Sequence, residues 1–296
     1  GMVTMPAAIA HYYHALQVWK QNGWKDSSKF KDAFLWGAQG PDFFYFDRIL
    51  QPWKENLRGI GSRLHREKPS HLLNAMRNFQ TSEGNQVTEA YLYGFLCHYS
   101  LDRTVHPFVY WDVSNLRKLY PGRGDGFLHN QTESILDGIL LRSVNGQLAN
   151  EFDLRQTVPR NPEVEKAIAQ MYASVLVRLY GNYASQKELL RAMKECRKIS
   201  GLLRDRWMMK KPLAEALERI LHRYLFSSAI RGISEPDGFD YANVLHSEWV
   251  WPENCFTCRT ESFFDLFQNS IQESIQFIHA CKIANFSELT QNISFC

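Results

Sequence analysis

The stretch "GFLCHYSLDRTVHPF" (residues 94–108) sets His98, Asp102 and His106 at even steps of four inside an otherwise apolar run. At 3.6 residues per turn such positions stack one above another, ~6 Å apart, so the three side chains share one stripe of a helix. Gly94, Tyr99 and Leu101 continue the apolar surroundings and turn that stripe toward the inside of a helical bundle. A carboxylate there is costly unless paired, and two imidazoles with a divalent cation would pair it. Read alone, the H-x3-D spacing also suits hydrogen-bonded core histidines with Asp102 capping a local group. Pro107 disfavours helical backbone at His106, so the helix is expected to end or kink there and to turn His106 toward a neighbouring centre.

Outward from this segment, helical periodicity dominates. Ile9, Tyr12, Tyr13 and Leu16 form one apolar stripe, Leu72, Leu73, Met76 and Phe79 another, and Ile168, Met171, Val175 and Leu179 a third. Alternating strand patterns are nearly absent. Turn formers cluster at residues 22–28, 37–42, 120–126, 159–162, 180–185 and 234–240. The expectation is an all-α protein of about ten helices, organised as a single multi-helix domain over residues 1–296. The histidines are concentrated before residue 130, so chemistry is assigned to that part, and the helices of residues 160–296 to packing and substrate access.

Composition narrows the function classes. The chain has 296 residues, 45% apolar and 14% aromatic, enough for a large core. Net charge is only +3, so nucleic-acid binding by bulk electrostatics has little support. Six cysteines without regular spacing do not form a disulfide scaffold and fit a reducing compartment. "GMVTMPAAIAHYYHALQVW" lacks the basic start, apolar core and cleavage site of a secretory signal, and no run approaches eighteen apolar residues, so a cytoplasmic location is expected.

Other segments add candidate ligands. "FLHNQTESILDGILL" repeats the i,i+4 pattern with His129 and Glu133, and Asp137 follows one turn later as a salt-bridged or supporting acid. "LWGAQGPDFFYF" presents Asp42 from a glycine- and proline-rich bend, where it is either a helix cap or a ligand. Phe43, Phe44, Tyr45 and Phe46 either wall a substrate pocket or belong to the core. His65 and His11 are further candidates, but His71 and His14 stand close by and spacing does not choose between them. Cys255 and Cys258, in "CFTC", lack the second cysteine or histidine pair of a zinc site and read as free thiols, with His279 and Cys281 as the residues to compare. The basic run of residues 187–211 suits a solvated helix face or an anionic surface.

Taken in order, "MPAAIAH", "GAQGPDFF", "GSRLH", "GFLCHYSLDRTVHP" and "HNQTES" resemble the bacterial zinc-dependent phospholipase C family, over residues 5–140. "SEWVWPENCFTCRTESFFDLFQ" more loosely resembles that family's closing helix region. The resemblance implies an all-α bundle of phospholipase C and zinc nuclease type holding two or three zinc ions, and it selects His11 over His14 and His65 over His71. It implies that His65, His98 and Asp102 hold one ion with Asp42 at or beside it. A second ion falls to His106, His129 and Glu133, and a third to Asp102 and His11. Secreted members supply that third ion from an N-terminal tryptophan, whereas here Met5 and Pro6 precede His11. Zinc follows from the family, since the same donors also accept manganese, iron or nickel.

The function implied is phosphodiester hydrolysis by a metal-bound water, with Asp42 as general base, the His106 centre stabilising the leaving oxygen, and a phospholipid or related diester as substrate. Transient contact with a membrane surface would accompany a lipid substrate. A nuclease or phosphomonoesterase on the same metal cluster, and a non-catalytic module stabilised by metal, are the alternatives. The absence of ExxH and HExxH sets aside ferritin-like oxidases and zincin proteases.

Overall fold

The structure, a computed structural model, describes residues 7–25, 28–181, 184–222, 227–232, 235 and 238–295. Met5 and Pro6, with parts of the turns at 22–28, 180–185 and 234–240, lie outside the described residues. Eleven α-helices are present among the described residues: α1 (Ala8–Gln21), α2 (Ser28–Ala38), α3 (Arg58–Arg66), α4 (Pro69–Ser82), α5 (Gln86–Leu119), α6 (Asp125–Asn145), α7 (Pro162–Tyr180), α8 (Gln186–Leu202), α9 (Lys210–Leu221), α10 (Phe263–Ala280) and α11 (Phe286–Thr290). One antiparallel hairpin joins β1 (Trp249–Trp251) to β2 (Asn254–Arg259). The protein is all-α, as its periodicity indicates. No described helix is long and apolar enough to cross a membrane.

The chain divides into two compact units. One contains the described residues up to Ala10, Thr104–Leu154 and Ser200–Gln268; the other contains His11–Arg103, Arg155–Ile199 and Asn269–Cys296, described to residue 295. The boundary falls inside α5, between Arg103 and Thr104.

Local chemistry sets the helix ends. Asn161 caps α7 by accepting from the Val164 amide, Pro162 occupies the first turn, and Gly181 closes the helix in the left-handed conformation at φ +63°. Gly146 ends α6 in the same way at φ +69°. Two readings change. Of the end or kink expected at His106 there is no end: α5 continues through Pro107 to Leu119, although an internal proline removes a backbone bond and costs ~3 kcal/mol, and His106 joins the ligand group of His129 and Glu133. Buried Leu101 and Val105 before the proline, and Phe108 and Val109 after it, anchor both sides of the break. The segment "SEWVWPENCFTCRTESFFDLFQ" is not helical throughout: residues 249–259 form the hairpin and α10 begins only at Phe263.

In the second unit, α2 and the first half of α5 meet backbone to backbone. A Cβ on Gly94 would stand 2.0 Å from the Phe34 carbonyl oxygen and 2.9 Å from Gly37 Cα. One on Gly37 would stand 2.1 Å from the Tyr91 carbonyl oxygen. Beyond this crossing the chain enters a 3-10 turn, Gly40–Phe46, on which α3 packs. Trp36, Phe43, Phe44 and Tyr172 form the adjoining core, with ring centres 5.2–6.2 Å apart in the pairs Phe44–Tyr172, Phe43–Tyr172 and Trp36–Phe43. The Tyr91 hydroxyl, bonded to that of Tyr172, also donates to the Gly40 carbonyl at 3.1 Å and fixes the turn.

The crossing generates a prediction. Gly94→Ala forces Cβ into a backbone carbonyl and should cost about 3 kcal/mol or more in urea denaturation. Gly138→Ala is the control: its Cβ would meet nothing closer than 3.7 Å, and inside α6 the change should stabilise by roughly 0.5–1 kcal/mol. Equal effects at the two glycines would contradict the close crossing.

Candidate metal centre

Five residues from four elements of the second unit meet in one buried cluster: His11 from α1, Asp42 from the 3-10 turn, His65 from α3, and His98 with Asp102 from α5. All five are less than a tenth exposed. One potential ligand atom from each of His11, His98 and Asp102 lies within 4.8 Å of the others, and the same holds for Asp42, His65 and His98.

Main-chain carbonyls orient two of the imidazoles. His98 Nδ1 donates to the Ala38 carbonyl at 3.1 Å, which turns Nε2 toward Asp102 Oδ2, 3.1 Å away. His65 Nδ1 donates to the Gly61 carbonyl at 2.8 Å, with the Tyr45 hydroxyl 3.0 Å from the same nitrogen, and its Nε2 stands 3.0 Å from Asp42 Oδ1. A ring nitrogen held by a carbonyl fixes the tautomer and leaves the other nitrogen as donor to a metal. His11 stacks on His98 with ring centres 4.4 Å apart and places Nε2 3.1 Å from Asp102 Oδ1. Gly40, at φ +55°, runs directly against the His98 ring, where a Cβ would come within 2.4 Å of Cδ2. The ring of Phe295 packs beside His65 and His98, with centres 5.9 and 6.3 Å away.

The cluster fits a cation better than it fits its own hydrogen bonds. His98 Nε2, Asp42 Oδ2 and His11 Nδ1 are buried without a hydrogen-bond partner among the described residues. Three imidazoles and two carboxylates with unsatisfied atoms form a donor set of the kind zinc takes, and one divalent charge would balance both acids. Without metal, charge balance falls to protons. Burial pulls the His98 imidazolium pKa down, but Asp102 and Asp42 outweigh it and hold the pKa up at about 9.

A second cluster lies in the first unit: His106 from α5, and His129 with Glu133 one turn apart on α6. Glu133 Oε1 stands 3.4 Å from His106 Nε2 and 3.2 Å from His129 Nε2, while Oε2 is buried without a hydrogen-bond partner among the described residues. Burial would raise the Glu133 carboxyl pKa, yet the two histidines bring it down to about 2.

Other candidates fall elsewhere. His14 is fully buried and held neutral, its pKa pushed down to about 3 chiefly by burial, with Nε2 3.4 Å from Ser274 Oγ. His71 is exposed and pairs with Glu67. Phe43, Phe44 and Phe46 are core residues rather than pocket walls: the first two are at most 1% exposed and pack on Tyr172. Of that run only Tyr45 reaches the cluster, through His65. Asp137 is no ligand: buried, it accepts from the Ile9 and Ala10 amides at the start of α1 and pairs with Arg231 at 2.8 Å. Cys255 and Cys258 are exposed free thiols three apart on β2, hence on opposite faces, and His279 bonds Asn22. Spacing carried no sign of the Ala38 and Gly61 carbonyls or of Phe295, because main-chain groups and residues two hundred positions away leave no periodic mark.

A sequence profile described as zinc dependent phospholipase C matches residues 9–186, more than half of the chain. The chain belongs to that family. No curated protein and no solved structure matches it. The zinc-dependent phospholipase C match covers every residue of both clusters, and it implies a hydrolase of phosphoric esters.

With its pKa held up by Asp102 and Asp42, His98 should carry a proton at neutral pH when metal is absent, and zinc binding should displace it. Calorimetric titration of the metal-free protein should give heats that change with the ionisation enthalpy of the buffer. Zinc affinity should fall by about tenfold per pH unit from pH 9 to pH 7 for each proton displaced. Buffer-independent heats would contradict this arrangement.

Proposed function

We propose that this chain is a zinc-dependent phosphodiester hydrolase of the phospholipase C type, acting on a phospholipid or a related diester. The observation that carries the reading is the buried five-residue cluster, in which His98 Nε2, Asp42 Oδ2 and His11 Nδ1 have no hydrogen-bond partner among the described residues. His11, Asp42, His65, His98 and Asp102 are its proposed zinc ligands, and His106, His129 and Glu133 those of a further ion, two or three ions in all. Bound there, zinc would polarise phosphate oxygens and bring the acidity of a water toward neutral pH.

The chain's own groups have separable roles. The Ala38 carbonyl holds His98, and the Gly61 carbonyl holds His65, so neither ring turns during a cycle. Asp42 Oδ1 faces His65 Nε2 across the same zinc position, leaving Oδ2 as the general base that takes the proton of the attacking water. Asp102 presents one oxygen to His11 and the other to His98, each 3.1 Å away. The Tyr91 hydroxyl holds the turn carrying Asp42 through the Gly40 carbonyl. We read residues 1–296 as one hydrolase domain working in a reducing, cytoplasmic setting, supported by the free thiols of Cys97, Cys196, Cys255, Cys258 and Cys281.

The test compares turnover of short-chain phosphatidylcholine, a single-stranded oligonucleotide and a simple phosphomonoester by the zinc-loaded protein. Release of the phosphorylated head group, abolished by a chelator and lowered about 10²-fold or more in Asp42→Asn, is the expected result. Turnover of the oligonucleotide or the monoester alone would overturn the substrate class. Metal-dependent melting with no turnover of any ester would overturn the enzyme.

A further inference from the structure

Helix α9 is built inside out. Along Lys210–Leu221 the residues facing the interior are Lys211, Ala214, Glu215 and Glu218, whereas Leu213, Leu217, Ile220 and Leu221 face outward. Leu213 is 71% exposed and Ile220 75% exposed. Just before the helix, Trp207, Met208 and Met209 are exposed as well, Trp207 at 76%. A surface helix ordinarily buries its apolar stripe, and an exposed contiguous one marks an interaction site.

Specific bonds fix this orientation. Asp205, buried, accepts from the Met209 and Lys210 amides with one carboxylate oxygen and from the Lys211 amide with the other, which anchors the start of the helix. Glu218 accepts from the Ser227 amide and hydroxyl at 2.8 and 2.6 Å. Lys211 Nζ donates to the carbonyls of Ser227 and Ile230 at 2.9 and 2.8 Å. Rolling α9 over to bury its leucines would expose or break all of these bonds. The helix is therefore held with its apolar face uncovered among the described residues.

Charge identifies what fits that face. Between residues 202 and 222 the exposed charged side chains are Arg206, Lys210 and Arg219, while Asp205 and Glu218 are buried and Glu215 is half-buried. An apolar stripe of tryptophan, methionine and leucine bordered by cations and free of exposed acids matches the boundary between head groups and acyl chains in an anionic bilayer. We propose that the Trp207–Leu221 face docks this protein on anionic lipid surfaces. Its apolar side chains enter the outer acyl layer, while Arg206 and Arg219 contact lipid phosphates; the Lys210 ammonium donates to the Leu202 and Arg204 carbonyls and adds its charge from there. The earlier basic cations of the 187–211 run contribute less, since Arg191 is spent on Asp47 and Arg197 on the Val158 carbonyl. This goes beyond the hydrolase reading, and the test needs no turnover.

The test is co-sedimentation of the full chain with vesicles of phosphatidylcholine alone, and of three parts phosphatidylcholine to one part phosphatidylglycerol. Binding to the anionic vesicles, weakened by high salt and at least tenfold weaker in Leu213→Glu/Ile220→Glu, is the expected result. Trp207→Phe provides a second reading that leaves the helix intact: brominated lipid should quench wild-type fluorescence, and the variant should lose that quenched component. Failure to sediment with anionic vesicles would overturn the proposal, as would equal binding by the double variant or unchanged quenching in Trp207→Phe. So would a wild-type oligomer that ignores vesicles and falls apart in the double variant, since a second copy would then cover the face.

Discussion

The direction of His98, the residue shared by both ligand groups of the five-residue cluster, depends on the backbone contact between Gly37 and Gly94. With no Cβ on either side, α2 comes close enough to α5 for the Ala38 carbonyl to reach His98 Nδ1. Two residues later Gly40, at φ +55°, passes against the same ring, and Asp42 follows from the next bend. A side chain at either crossing point would separate the helices and remove the hydrogen bond that decides which nitrogen of His98 is free. The two glycines thus act on chemistry through geometry alone, by converting helix packing into the tautomer and direction of one imidazole.

The electrostatics follow from that closeness. Two carboxylates and three imidazoles share a space from which water is largely excluded, where uncompensated charge is expensive. Protonation of His98 offsets part of that cost when no metal is present, while Asp42 Oδ2 keeps no partner among the described residues. Such local conflict is uncommon in cores and gathers where function requires it. The inverted helix α9 also breaks a local rule, by leaving apolar surface uncovered among the described residues rather than polar atoms unpaired.

Much of this was legible in the sequence, and what was hidden has definable reasons. Helical periodicity marked the all-α class, and steps of four marked His98 with Asp102 and His129 with Glu133, because those signals are local to one helix. Spacing could not separate His11 from His14 or His65 from His71, since each pair lies on one short segment and only neighbouring elements tell which ring faces the cluster. Pro107 signalled an end or a kink, and the end did not follow because packing on both sides of it outweighs the lost bond. The aromatic run at 43–46 was ambiguous because a 3-10 turn buries nearly every side chain it carries. The hairpin at 249–259 was missed since three- and six-residue strands give too short an alternation to detect.

The most direct measurement is anomalous X-ray scattering at the zinc absorption edge from crystals of the zinc-saturated protein. The account predicts a strong peak among His11, Asp42, His65, His98 and Asp102, and another among His106, His129 and Glu133. Zinc-saturated crystals with no peak in the five-residue cluster, its imidazoles hydrogen-bonded to the two carboxylates instead, would contradict it.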